Sequence, residues 1–272
     1  MKPELQKRVQ RYGWDRASKY YENCWQEQLK PAHDALLDIA NVQPNERILD
    51  IAAGTGLVSF PLALKTGEFG NVIATDISDE MVTIGNDLVK SNETKNIKFE
   101  RMDAEDINYN ENTFDLATCA LGLMYFPDPD VSLSEIYRVL KPGGKAVVAI
   151  WGSRKKCGWS EIFPIVDSRV KTDVCPMFFS LGENETLKYP FENAGFKNIT
   201  IQRIETKLFY STSEEACDAS FIGGPVAMAY ARFDEQSKIE ARAEYTEFIQ
   251  SFKTENGYEI PGEFVIGTAI KE

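Results

Sequence analysis

Two glycines and three carboxylates carry the first chemical signal in the chain. The segment Arg47-Ile-Leu-Asp-Ile-Ala-Ala-Gly-Thr-Gly56 runs an apolar stretch into a glycine turn. Gly54 and Gly56 can take backbone angles closed to residues with a Cβ, and they let a ligand approach the main chain. Asp76 ends the next apolar stretch, Val72-Ile-Ala-Thr-Asp76, twenty residues past Gly56. A carboxylate there can accept hydrogen bonds from both hydroxyls of a ribose. In Arg101-Met-Asp-Ala-Glu-Asp106, Asp103 can accept from an adenine amine while the Ala104 N–H donates to the ring.

A ribose acid behind a glycine turn also fits an NAD(P)-dependent oxidoreductase, which is the reading from another class. Three features separate the two. The dinucleotide fingerprint GxGxxG wants a third glycine where this chain has Ser59. Asp50 sits inside the strand just before the turn, where it would repel a pyrophosphate and attract an ammonium, directly or through water. Asp103 and Ala104 supply an adenine site after the third strand. The ligand implied carries a ribose, an adenine and an ammonium, and no phosphate.

The elements that must hold these residues follow from the pattern. Short β-branched runs at Arg47–Ala52, Val72–Asp76, Ile97–Met102, Phe114–Leu121 and Lys145–Trp151 read as strands. Helical patterns fall between them at Leu57–Lys65, Asp79–Asn92 and Val131–Leu140. Apolar strands alternating with helices indicate an α/β chain with a doubly wound parallel sheet, covered on both faces. Pro61 inside the first helix predicts a kink or a later start. Upstream, Tyr20–Trp25 and Pro31–Ala40 read as two helices. Downstream come a helix ending at Ala194–Gly195, a strand near Thr200–Tyr210, a polar helical stretch from Ser213 to Thr254 and a strand near Glu263–Ala269. No linker divides the chain. It reads as one domain: N-terminal helices (1–46), a binding core (47–151), two cap insertions (152–188 and 211–258) and a last strand (259–272).

Bulk properties exclude several classes. The 272 residues carry a formal net charge of −12, so a polyanion meets a repulsive mean field and a nucleic-acid partner is disfavoured. The run Arg154, Lys155, Lys156 is expected to be a solvated loop. No stretch approaches the roughly 20 apolar residues of a membrane span. The five cysteines (Cys24, Cys119, Cys157, Cys175, Cys217) are scattered and odd in number, which points to reduced thiols, a cytoplasmic location and no metal site.

Taken in order, these motifs resemble those of the class I S-adenosylmethionine-dependent methyltransferases, especially the UbiE-like branch of ubiquinone and menaquinone biosynthesis. Leu49-Asp-Ile-Ala-Ala-Gly-Thr-Gly56 is similar to that family's first motif, although Ala52 and Ala53 stand where it often has glycine, or glycine or cysteine. Asp76 matches its ribose acid and Asp103-Ala104 its adenine contact. Val139-Leu-Lys-Pro-Gly-Gly144 with the strand after it is similar to the closing turn of the core, and Phe191-Glu-Asn-Ala-Gly-Phe196 is a weaker echo farther on. The resemblance implies a Rossmann-like sheet of seven strands, the last antiparallel and inserted between the fifth and sixth, with S-adenosylmethionine as cofactor and S-adenosylhomocysteine as product. It also implies a cofactor site made of Tyr21, Trp25, Asp50, Ala52, Gly54, Gly56, Asp76, Ile77, Met81, Asp103, Ala104 and Cys119. Tyr20, Tyr21 and Trp25 resemble aromatics that fold over the methionine half, but serve equally well as helix-packing residues.

Methyl transfer from a sulfonium is an in-line displacement with an activated leaving group. It needs positioning more than a metal or a covalent nucleophile. The sole histidine, His33, precedes the first strand and reads as structural. Tyr12, Tyr21, Tyr125 and Asp128 are candidates for a base, and no catalytic residue is assigned. The place after the fourth strand reads Cys119-Ala-Leu-Gly-Leu-Met-Tyr-Phe126, without the Asn/Asp-Pro-Pro-Tyr loop of DNA amino-methyltransferases or the paired glutamates of protein arginine methyltransferases. Leu121, Leu123, Met124 and Phe126, with the aromatics of 159–179, suggest a pocket for a small apolar or aromatic acceptor, beside ordinary core packing. The stretch 219–228 reads as part of a lid. Ring C-methylation of a quinone precursor is the alternative acceptor chemistry. A binding module without turnover is a further alternative, and a homodimer stays open.

Overall fold

The computed structural model describes residues 2–170 and 178–272; Cys175 and Met177 lie outside the described residues. Helix α1 (Pro3–Ala40) leads into strand β1 (Arg47–Ile51), helix α2 (Ser59–Thr66) and strand β2 (Asn71–Asp76). Helix α3 (Asp79–Ser91) and strands β3 (Ile97–Arg101) and β4 (Phe114–Ala120) follow. Helix α4 (Pro129–Val139) then feeds the long strand β5 (Leu140–Trp151). The second half contains α5 (Ile162–Asp167), α6 (Lys188–Asn193), β6 (Lys197–Tyr210), α7 (Ser213–Phe221), α8 (Ala227–Tyr230), α9 (Glu235–Ile249), β7 (Lys253–Thr254) and β8 (Gly257–Ile270).

The sheet order is β3-β2-β1-β4-β5-β8-β6. The first five strands pair in parallel, and β8 runs antiparallel to both neighbours. This is the expected doubly wound arrangement with its inserted antiparallel strand. The two-residue β7 adds an eighth strand by pairing with the start of β8. The central strands are buried on both faces: four of the five β1 residues and five of the six β2 residues are buried. Such strands show continuous apolar runs instead of alternation.

Local chemistry fixes the helix starts. Ser78 accepts from the Met81 N–H at 3.1 Å at the head of α3. Asp128 accepts from the N–H groups of Asp130 and Val131 at the head of α4, where Pro129 fits the first turn. Thr212 and Asp234 cap α7 and α9 in the same way. Helix α2 starts at Ser59, later than its pattern suggests, which leaves Pro61 in the first turn where a missing N–H costs nothing.

The two expected N-terminal helices are one, 38 residues long, with Pro31 inside it. An interior proline removes a backbone hydrogen bond, but burial continues across it. Trp25 and Leu29 before it, and Ala32, Leu36 and Leu37 after it, are all buried. Tertiary packing of one stripe therefore outweighs the local defect. The helical stretch expected over 213–254 is divided into α7, α8 and α9. Strand β8 starts at Gly257, earlier than its apolar centre suggested.

Candidate active site

The C-terminal ends of the parallel strands open into a cleft with about 1000 Å³ of space not filled by protein atoms, part of it open to solvent. Nine of the twelve residues expected to bind the cofactor line it: Tyr21, Trp25, Ala52, Gly54, Asp76, Ile77, Met81, Asp103 and Ala104. At the mouth of β1, Ala52 takes φ 53° and Gly54 φ 57°. A left-handed turn is tolerable for glycine and strained for alanine, and strain of this kind gathers at ligand-binding turns. The loop after β4 comes close beneath. A Cβ on Gly122 would stand 2.4 Å from the Cβ of Ala52, so only glycine lets the two loops meet.

Asp76 ties the glycine turn to α3. Its Oδ2 accepts from the Gly54 N–H and its Oδ1 from the Ser78 N–H, each at 2.9 Å. Burial pushes its carboxyl up to about 6. Asp103 lies at the next strand end. It caps its own turn through the Glu105 N–H and pairs with Lys7 Nζ at 2.7 Å; the same ammonium reaches Glu105 at 2.6 Å. Burial works against the charged form of Lys7, but its bonds to Asp103 and Glu105 prevail and raise its pKa.

Asp50, Gly56 and Cys119 stand behind the wall and do not line the cleft. Asp50 is 1% exposed, with Ser59 Oγ donating to it at 2.5 Å and Thr118 Oγ1 at 2.7 Å. These two hydroxyls spend its lone pairs inside the protein, and burial still pushes its carboxyl up to about 6. A Cβ at Gly56 would come within 2.8 Å of the rings of Phe60 and Phe99, so this glycine serves packing under the turn. The Cys119 thiol is fully buried beneath the Gly122 loop and pushed up to about 12 by that burial.

The first half of α1 closes the cleft from above. Lys7, Gln10, Trp14, Tyr21, Trp25 and Leu29 line it at helical spacing, so all six project from one face. Arg11 pairs with Asp79, and Asp15 accepts from Ser78 Oγ at 2.7 Å and from the Glu80 N–H at 3.2 Å. Trp14 lies edge-on to Tyr125 at 5.3 Å and to Tyr21 at 5.8 Å. Lys7, Gln10 and Trp14 were not anticipated from the sequence. The signal was their spacing relative to Tyr21 and Trp25, which only a continuous helix makes visible.

The candidate bases separate. Tyr12 is exposed and outside the cleft, and Asp128 is a helix cap. Tyr21 and Tyr125 line the cleft; burial raises the Tyr21 phenol pKa, so it is held protonated. His33 is buried in α1 away from the cleft, and burial lowers its pKa to about 4. Beyond the strand ends the lining turns apolar and aromatic, with Leu121, Met124, Phe126, Trp151 and Trp159; Leu123 is buried behind it in the core. Pro225, in the stretch expected to form a lid, also lines the cleft, and Trp25 Nε1 donates to the neighbouring Gly223 carbonyl at 3.0 Å.

The site fits an adenosyl sulfonium on its own chemistry. Two buried carboxylates, Asp50 and Asp76, have no cationic partner among the described residues, and their raised pKa values show the cost of that isolation. The Thr55 hydroxyl in the turn is buried without a hydrogen-bond partner among the described residues. The two carboxylates do not suit a pyrophosphate, which would add negative charge beside them. Among the described residues no group of three His, Cys, Asp or Glu side chains could hold a metal ion, and no helix is long and apolar enough to cross a membrane.

Known proteins agree with this chemistry. The ubiquinone/menaquinone biosynthesis C-methyltransferase UbiE of Teredinibacter turnerae is 32% identical over 175 residues, which are 59% of this chain and 70% of that protein. The fold is similar to the YcgJ protein of Bacillus subtilis, with a TM-score of 0.62 at 16% identity over 89% of this chain and 99% of that one. It is also similar to a phosphoethanolamine N-methyltransferase of Haemonchus contortus solved with S-adenosylhomocysteine, with a TM-score of 0.59 at 18% identity over 89% of this chain and 52% of that one. The family model of the ubiE/COQ5 methyltransferases matches residues 26–164, spanning the glycine turn, both strand-end carboxylates and the loop after β4, and the chain therefore belongs to that family of S-adenosylmethionine-dependent methyltransferases.

Proposed function

We propose that this enzyme methylates a small aromatic molecule that enters the apolar half of the cleft. The observation that carries this reading is the change in lining, from carboxylates at the ends of β2 and β3 to Met124, Phe126, Trp151 and Trp159 beyond β4 and β5. In this reading Asp76 takes the ribose hydroxyls, and Asp103 with the Ala104 N–H takes the adenine. Tyr21 and Trp25 cover the methionine half. Asp50 acts from behind the turn as a fixed negative charge that favours the ammonium. When bound, S-adenosylmethionine supplies a methyl group on a good leaving group.

The chain's own contribution is alignment and dryness. Holding the acceptor atom in line with the transferable carbon can supply up to about 7–11 kcal/mol of the barrier. Tyr21 is held protonated and no histidine lines the cleft, which favours an acceptor that brings its own nucleophilicity, as an electron-rich ring or a phenolate does. The name of the Teredinibacter relative favours a ring carbon of a quinone precursor as the second reading. The scattered free thiols of Cys24, Cys119, Cys157 and Cys217 support a reducing, cytoplasmic setting for this work.

Transfer of label from S-adenosylmethionine with a tritiated methyl group tests the reading. Incubation with a panel of phenols, naphthols and hydroquinones should yield labelled, organic-extractable product. Label recovered only in protein, nucleic acid or polar amines would overturn it.

A further inference from the structure

Helix α1 is held in two different ways along its length. From Ala17 onward it carries buried side chains, Trp25, Leu29, Ala32 and Leu36 among them, whereas none of residues 3–16 is buried. Yet this thinly packed half roofs the cleft through Lys7, Gln10 and Trp14. Apart from the ring contacts of Trp14, its ties to the body are polar. Gln6 Nε2 donates to the Tyr125 carbonyl at 3.2 Å, Arg11 pairs with Asp79, and Lys7 Nζ lies 2.7 Å from Asp103 Oδ2 and 2.6 Å from Glu105 Oε2. The Lys7 contact has a fixed half and a movable half. Glu105 is anchored from behind, because its Oε1 accepts from the Asp128 N–H at 2.7 Å and its own N–H donates to Asp103 Oδ1 at 2.9 Å. Its side chain is only 10% exposed. Lys7 sits on a helix end that no buried side chain holds, so the bond opens by movement of the helix and not of the carboxylates.

We propose that Lys7 is a positioning residue for the cofactor: its ion pairs with Asp103 and Glu105 latch α1 over the adenosyl half of the cleft and set the rates at which S-adenosylmethionine enters and S-adenosylhomocysteine leaves. The inference rests on the reading of Asp103 and Ala104 as the adenine site. All three latch residues belong to the protein, so the pairs stabilise the closed form whether or not a cofactor lies beneath it. Opening then precedes both entry and exit. A weaker latch speeds both by the same factor and leaves the affinity unchanged. A lysine that only touched the cofactor would behave differently, since its loss would speed exit alone. Asp103 keeps lone pairs for an adenine amine while it holds Lys7, because a carboxylate accepts about four hydrogen bonds.

Binding kinetics of S-adenosylhomocysteine to the full chain test this without any methyl acceptor. Stopped-flow tryptophan fluorescence gives the association rate, with Trp14 and Trp25 in the cleft as reporters. Displacement of tritiated S-adenosylhomocysteine by excess unlabelled compound gives the dissociation rate. Lys7→Met keeps an unbranched side chain and removes the charge. It should raise both rates by about three- to tenfold, the span of two partly screened ion pairs, and leave Kd within about twofold. Lys7→Arg, which keeps the charge, should restore rates close to those of the wild type. Faster dissociation with unchanged association overturns the latch and makes Lys7 a cofactor contact; no change in either rate overturns any role for it. Should the variants fail to fold, the wild-type protein decides. S-Adenosylhomocysteine is a zwitterion without net charge, so raising salt from about 0.1 M to about 1 M acts mainly on the latch and should speed both rates together. Salt-independent rates overturn the inference. Wild-type protein that does not bind S-adenosylhomocysteine at all overturns the adenine assignment and the latch with it.

Discussion

At Asp76 both carboxylate oxygens already accept a backbone N–H, one from the glycine turn and one from the head of α3. The side chain therefore shapes the turn and presents its remaining lone pairs to the cleft. Asp76→Ala should weaken S-adenosylhomocysteine binding by about 1–3 kcal/mol, the scale of a charge-assisted hydrogen bond. Titration calorimetry on the folded variant checks this, and unchanged affinity would remove Asp76 from the ribose. A pH dependence follows from burial, which holds Asp50 and Asp76 near 6. A cation stabilises the ionised carboxylates, so binding lowers their pKa values and expels protons wherever they were still protonated. Affinity for S-adenosylmethionine should thus rise between about pH 5 and pH 7 and level off above, with Asp76→Asn flattening the profile. A flat wild-type profile would contradict the assignment. These carboxylates were legible in the sequence because a strand end needs no tertiary knowledge to place. That Asp50 faces inward was not, since its hydroxyl partners Ser59 and Thr118 come from separate elements.

Helix α1 shows where reading by element fell short. The pattern marked a first helix only over Tyr20–Trp25, so Lys7, Gln10, Trp14 and Leu29 could not be recognised as one surface with Tyr21 and Trp25. Packing against the sheet on both sides of Pro31 is a tertiary effect that local pattern does not record. The first turns of α1 are held to α3 and the β3 loop largely by partly exposed ion pairs, Lys7 with Asp103 and Glu105, and Arg11 with Asp79. Such pairs contribute little each. Amide hydrogens of residues 5–16 should therefore exchange faster than those of 33–40, and saturation with S-adenosylhomocysteine should slow them. Mass-spectrometric exchange reads both effects, and equal protection along α1 would argue against an opening helix. At the head of α3, Ser78→Ala removes the cap on Met81 and the donor to Asp15, and should cost about 0.5–2 kcal/mol in a urea titration.

On the scale of the whole molecule, β8 joins the parts. Phe264 is fully buried on it and packs tilted against Trp151 at 4.4 Å. Phe264→Ala should cost about 3–5 kcal/mol in chemical denaturation, as for a large ring lost from a close-packed core. A loss below 1 kcal/mol would mean the site relaxes freely. Next to it, Glu263 is buried and accepts from the Ser153 N–H, Lys156 Nζ and Arg203. The run at 154–156 is exposed, as expected, and Lys156 reaches Glu263 from the surface. The strand order was accessible through the family resemblance. The arrangement of the segments expected at 152–188 and 211–258 was not, because they follow no repeating period in the sequence. Strand β8 is translated after β6, yet lies between β5 and β6. A nascent chain that has not emerged past residue 256 therefore exposes two unpaired strand edges at once, the kind of surface on which neighbouring polypeptides aggregate. The sheet is therefore completed only when β8 enters between β5 and β6.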